Sequence, residues 1–217
     1  QVAARPGYPF SLHVSVIYEL SERGLGVTTT IVNQGERECP VGHGQHPYLS
    51  PGSGPIDECL LEHPGRVRIL TDERQLPSGR EAVEATEFEF SSPRRLGNVE
   101  IDFAFTDLLR DESGRAWTRL RGTDGATAAI WVDESYEFVE LYTGHTLAPE
   151  RARLGLGAEP MTCAPDAFNN GEGLIRLEPG GSTSASWAAA MPPTSRVAST
   201  GTERFTSPSP SGPSSWC

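Results

Sequence analysis

Runs of strand length, alternating apolar and polar residues and separated by glycine-bearing turns, recur along most of this chain. Residues 10–18 alternate as a half-buried strand does. Residues 24–32 repeat the pattern, and Val27, Thr28, Thr29, Thr30, Ile31 and Val32 favour extended backbone. Between the two runs, Glu22-Arg23-Gly24 reads as a hairpin turn. Further strands are expected at 58–61, 66–70, 86–90, 116–121, 126–132, 136–143, 173–177 and 182–189. Gly114 and Thr123-Asp124-Gly125 are turn signals. No stretch combines helical periodicity with capping residues. The expected fold is therefore all-β, a sandwich of antiparallel sheets.

The 217 residues suffice for one large domain or two small ones, and 36% are hydrophobic, enough for a packed core. From Pro192 onward Ser, Thr, Pro and Gly dominate, and such a segment cannot bury enough surface to offset its ordering entropy. The expected organisation is a β-sandwich domain over residues 1–191 and a disordered tail over 192–217. Trp216 and Cys217 have no evident role there.

A net charge of −11 and a pI near 4.9 argue against nucleic acid and against an anionic membrane surface. All 18 basic residues are Arg, so lysine Schiff-base chemistry is excluded. Cys39, Cys59, Cys163 and Cys217 form no CxxC pair, which argues against a thiolate zinc site and a disulfide framework. Reduced thiols in a cytoplasmic protein are the expectation. No apolar run reaches the length of a membrane span.

Two segments concentrate chemistry. Gly42-His43-Gly44-Gln45-His46-Pro47-Tyr48 places two imidazoles three residues apart among Gly and Pro, which fix a loop's path. Histidine titrates nearest neutrality. His46 could instead be a histidine satisfied within a turn. His43 and His46 could ligate a metal, but no third ligand lies nearby in sequence. The second segment runs from Gly157 to Asn170, where Pro160 and Pro165 constrain a loop carrying Glu159. Its plain alternative is a solvated carboxylate. Asp102 precedes Phe103 and Phe105, so strand alternation places it on the opposite face from both.

Taken together these segments resemble the aldose 1-epimerase (mutarotase) family. His46-Pro47-Tyr48 resembles its HxY loop, and Asp102-Phe103-Ala104-Phe105 its D-x-x-F segment. Residues 138–144 resemble its strand with Gln followed by Tyr-Thr-Gly. Glu159-Pro160 with Pro165-Asp166-Ala167-Phe168-Asn169 resembles its E…PDA.N signature. All four occur in family order between about Pro6 and Met191. The resemblance implies an antiparallel β-supersandwich of the galactose mutarotase type. It implies His46 as general acid, Glu159 as general base and Asp102 as an acceptor for sugar hydroxyls. Glu140 stands where the family usually has Gln, a sugar contact. An ionised carboxylate only accepts hydrogen bonds, whereas Gln also donates.

The implied reaction interconverts the α and β anomers of a hexose by ring opening. It requires one base and one acid, with ordinary pKa values near 4.3 and 6.5, and no metal or other cofactor. The alternatives are a non-catalytic carbohydrate-binding sandwich and a hexose-6-phosphate 1-epimerase, which would want Arg at the pocket mouth. Arg94-Arg95 is the one adjacent arginine pair. Family members also carry upstream strands and an H-G-x-x-R loop, in which neither His13 nor His63 sits. The chain thus resembles the last two-thirds of such an enzyme, expected to turn over slowly by itself and to self-associate through an exposed sheet edge.

Overall fold

The computed structural model describes residues 1–52 and 54–190. The expected tail, with Trp216 and Cys217, lies outside the described residues. In chain order the strands are β1 (Leu12–Ser21), β2 (Gly24–Asn33), β3 (Cys39–Val41), β4 (Tyr48–Leu49), β5 (Leu60–Glu62), β6 (Gly65–Thr71), β7 (Pro77–Ala82), β8 (Arg94–Arg95), β9 (Asp102–Leu108), β10 (Ala116–Arg121), β11 (Thr127–Val132), β12 (Phe138–Tyr142), β13 (Leu156–Met161), β14 (Ile175–Leu177) and β15 (Ser182–Ala190). A 3-10 turn at Ile56–Glu58 and one short α-helical turn, α1 (Ala167–Asn170), interrupt them.

These strands form a seven-stranded sheet in the order β1-β2-β15-β11-β10-β5-β8, a six-stranded sheet β4-β13-β12-β9-β6-β7, and a β14-β3 pair. The β1–β2 hairpin turns at Glu22-Arg23 as expected, and its pairing runs unbroken from Ser21↔Gly24 to Leu12↔Asn33. Each sheet turns one residue in two toward a shared core, the arrangement that lets two sheets exclude water between them. Val27, Leu61, Leu120, Ile130 and Trp187 come from the seven-stranded sheet; Phe105, Val139, Leu141, Leu156 and Ala158 come from the six-stranded one. His63 is buried among them with its Nδ1 2.9 Å from the Thr118 hydroxyl, a core histidine.

One expected strand does not form. At 86–90 the Thr86 hydroxyl donates to the Val83 carbonyl at 2.7 Å and accepts the Phe88 N–H at 3.1 Å. This local turn competes with a strand ladder. It delivers Phe90 into the core, where its carbonyl accepts the His63 N–H. Conversely, β7 is polar and exposed, and β13 carries Gly157 and Pro160, so neither shows strand propensity in sequence. Cys39, Cys59 and Cys163 are free thiols. Among the described residues no helix is long and apolar enough to cross a membrane.

Candidate active site

Strand register assembles an acidic face on the six-stranded sheet. Glu140 of β12 lies directly between Glu159 of β13 and Ala104 of β9. One step along, Tyr142 lies between Gly157 and Asp102, and Tyr48 of β4 pairs with Gly157. Because side chains alternate, these positions share the face opposite Val139, Leu141, Phe103 and Phe105, which pack against the core. Asp102, Glu140 and Glu159 thus share one outward face, although 57 positions separate the first from the last (159 − 102).

His46 reaches the same face from the loop between β3 and β4. That loop is laced onto β13: Gln45 N–H donates to the Pro160 carbonyl (3.1 Å), Ala158 N–H to the Pro47 carbonyl (3.0 Å), and Thr162 N–H to the His43 carbonyl (2.9 Å). Gln45 anchors it from below, donating to Thr29 and accepting from the Trp187 indole, each at 3.0 Å. Two glycines permit the close approach. A Cβ at Gly44 would stand 2.7 Å from the Pro160 carbonyl oxygen, and one at Gly42 2.4 Å from Cys163 Sγ.

The result is a contact between His46 Nε2 and Glu159 Oε1 at 3.1 Å. The carboxylate is 15% exposed and the imidazole 55%. His46 also stacks on Tyr48, with ring centroids 5.0 Å apart. An open cleft of roughly 400 Å³ begins here, lined by Gly44, Gln45, His46, Glu159, Met161 and Cys163. His43 also lines this cleft, but its ring meets Tyr136 edge-on at 5.6 Å, its ring nitrogens are buried with no hydrogen-bond partner among the described residues, and burial lowers its pKa. The two imidazoles therefore do not converge as a ligand pair.

The acidic environment revises the ordinary pKa expected for the base. Burial, then the charge of Asp102, pushes Glu159 up to about 7. Burial, then Glu159 and Asp102, pushes Glu140 up to about 7, with His46 pulling the other way. A base poised near working pH is better placed for proton transfer than one near 4. The second revision is spatial: the candidates His46 and Glu159 touch, so a ligand placed between them requires the exposed imidazole to swing outward.

Tyr48 and Tyr142 belong to this face; both stand in the quoted motifs, the HxY loop and the Tyr-Thr-Gly strand, but neither is a candidate from the sequence. Each stands two residues beyond a candidate, His46 and Glu140, and for Tyr142 that spacing on one strand means a shared face. The PDA.N segment is structural: Asp166 enters α1 with a left-handed backbone and accepts from the Asn169 amide, and the following turn presents Glu172 to Arg80. Arg94 and Arg95 form β8 on the edge of the other sheet, where Arg95 pairs with Glu58.

A protein-family model described as aldose 1-epimerase matches residues 2–189. The uncharacterized protein YihR of Escherichia coli (strain K12) is 30% identical over 175 residues, covering 80% of this chain and 54% of that protein. A galactose mutarotase-like protein from Clostridium acetobutylicum has a similar fold (TM-score 0.73, 18% identity), covering 89% of this chain and 60% of that one. Galactose 1-epimerase from Lactobacillus acidophilus NCFM is likewise similar (TM-score 0.69, 19% identity, 84% and 57%). The chain thus spans little more than half the length of these relatives.

Proposed function

The chain belongs to the aldose 1-epimerase family, and from that premise we propose that it interconverts the α and β anomers of an aldohexose such as galactose or glucose. Glu159 is the base and His46 the acid. Glu159 takes the proton of the C1 hydroxyl as His46 delivers one to the ring oxygen. The bond between C1 and that oxygen breaks, leaving the open-chain aldehyde. Rotation about C1–C2 presents the other carbonyl face, and reclosure returns the proton from the ring hydroxyl to His46 and from Glu159 to the new C1 hydroxyl. Protons balance over the cycle, and no electron is gained or lost.

The observation that carries this reading is the 3.1 Å convergence of His46 and Glu159 from loci 113 positions apart (159 − 46). Asp102 and Glu140 flank Glu159 on the same face and are assigned to the sugar hydroxyls. Three carboxyl groups on one face favour a neutral sugar over a phosphorylated one, since like charges in a partly buried site repel strongly.

Polarimetry of freshly dissolved α-glucose and α-galactose tests the proposal. The protein should accelerate mutarotation, and His46→Ala should reduce kcat/KM roughly 10²–10⁴-fold. Saturable sugar binding with no acceleration over buffer would replace it with a non-catalytic carbohydrate-binding role. Acceleration of the hexose 6-phosphate alone would overturn the neutral-sugar assignment.

A further inference from the structure

Glu140 and Glu159 are direct cross-strand neighbours. Such neighbours have Cβ atoms about 4.5–5.5 Å apart, so their carboxyl groups share one small space. Two carboxylates so placed in a half-buried site do not both ionise freely. Their surroundings differ. Glu159 has the His46 imidazole at 3.1 Å, which favours its ionised form. On the other side Glu140 borders β9, where Ala104 lies directly opposite and Asp102 stands two residues away. On the same face stand Tyr142 of the Glu140 strand and Tyr48 from β4, and the charge of Arg151 acts on Tyr48. Arg80, farther along this face, is taken by Glu172.

We infer that Glu140 holds the proton of this carboxyl pair, so that Glu159 is the member left ionised to act as base. Glu140 is then a positioning residue for the reaction proposed above, and the inference rests on that reading for its catalytic consequence only. The direction of titration agrees: burial first, then Glu159 and Asp102, raise the Glu140 pKa to about 7. A protonated carboxyl also donates a hydrogen bond as well as accepting one, so it offers a sugar hydroxyl the same two functions a side-chain amide would. The pair titrates as a unit, and its two midpoints belong to both groups.

The experiment is a ¹³C carboxyl NMR titration of the whole chain from about pH 4 to 9, for the unaltered protein, Glu140→Gln and Glu140→Asp. In the unaltered protein both signals should report two coupled steps. In Glu140→Gln, which keeps a neutral donor, Glu159 should titrate in one step at the lower of the two midpoints of the unaltered protein. Glu140→Asp should restore the coupling. A single Glu159 step at least about one pH unit above that lower midpoint would make Glu159 the holder of the proton and overturn the inference. The kinetic arm is separate: in Glu140→Gln the acid limb of kcat/KM should stay at the lower midpoint of the unaltered protein, whatever the variant does to KM. An acid limb that moves up by at least about one pH unit would also overturn it. Should the unaltered protein fail to accelerate mutarotation, the proposed function falls, while the NMR titration still decides the proton pair.

Discussion

Replacing Glu159 with Gln should make the protein more stable at alkaline pH and less active throughout. The folded-state pKa of Glu159 is raised from 4.5 to about 7 by burial and by Asp102. A group raised in this way contributes stability that is full below its unfolded value, near 4.5, and lost as pH climbs through about 7. A tenfold change in proton affinity is worth about 1.4 kcal/mol, so holding this carboxylate costs about 3 kcal/mol at pH 8 and about 1 kcal/mol at pH 5. The side chain is 15% exposed, so solvent screening does not erase this cost. Its contact with the 55% exposed His46 returns less than about 1 kcal/mol. The net gain of Glu159→Gln over the unaltered protein should therefore widen by roughly 2 kcal/mol between pH 5 and pH 8. For a chain of this size that is about 4–8 °C in Tm. Thermal unfolding followed by circular dichroism at both pH values measures it, and polarimetry on the same samples should show kcat/KM reduced about 10²–10⁴-fold. A Tm difference independent of pH would refute the electrostatic reasoning; retained activity would remove Glu159 from the mechanism.

Gly44→Ala should reduce kcat/KM by about 10²-fold while moving Tm little, because its Cβ would meet the Pro160 carbonyl oxygen at 2.7 Å and lift the His46 loop from β13; polarimetry and thermal melts of the same variant compare the two. His63, pushed down to about 3 by full burial, should drive acid unfolding. Its neutral form contributes stability that is complete above about 6.5 and lost as pH falls toward 3, so His63→Leu should flatten the acid limb of stability against pH, measured by urea titration, even where it lowers stability at neutral pH. The β1 edge should mediate self-association. Val16, Tyr18 and Leu20 are 39%, 64% and 85% exposed on an edge strand, and Tyr18→Lys should shift the chain toward monomer in light scattering.

The period-2 patterning of residues 10–18 and 24–32, the turn at Glu22-Arg23 and the dearth of helical signals determined the all-β class, because alternation alone says which face of a strand meets a core. The resemblance of four short motifs to the aldose 1-epimerase family likewise implied His46, Asp102, Glu140 and Glu159 as a candidate set. The strand pattern at 86–90 misleads because the Thr86 hydroxyl captures backbone groups that a ladder would use, and β13 is invisible because Gly157 and Pro160 suppress strand propensity there. Only the tertiary structure decided how the candidates meet. The pairing Glu159↔Glu140↔Ala104 sets two carboxyl groups side by side, and the docking of residues 42–47 on β13 closes His46 onto Glu159 at 3.1 Å. The perturbed titration follows from that meeting and from nothing local. A carboxyl group's proton affinity depends on the water it has lost and the charges around it, and both are fixed by residues distant in sequence.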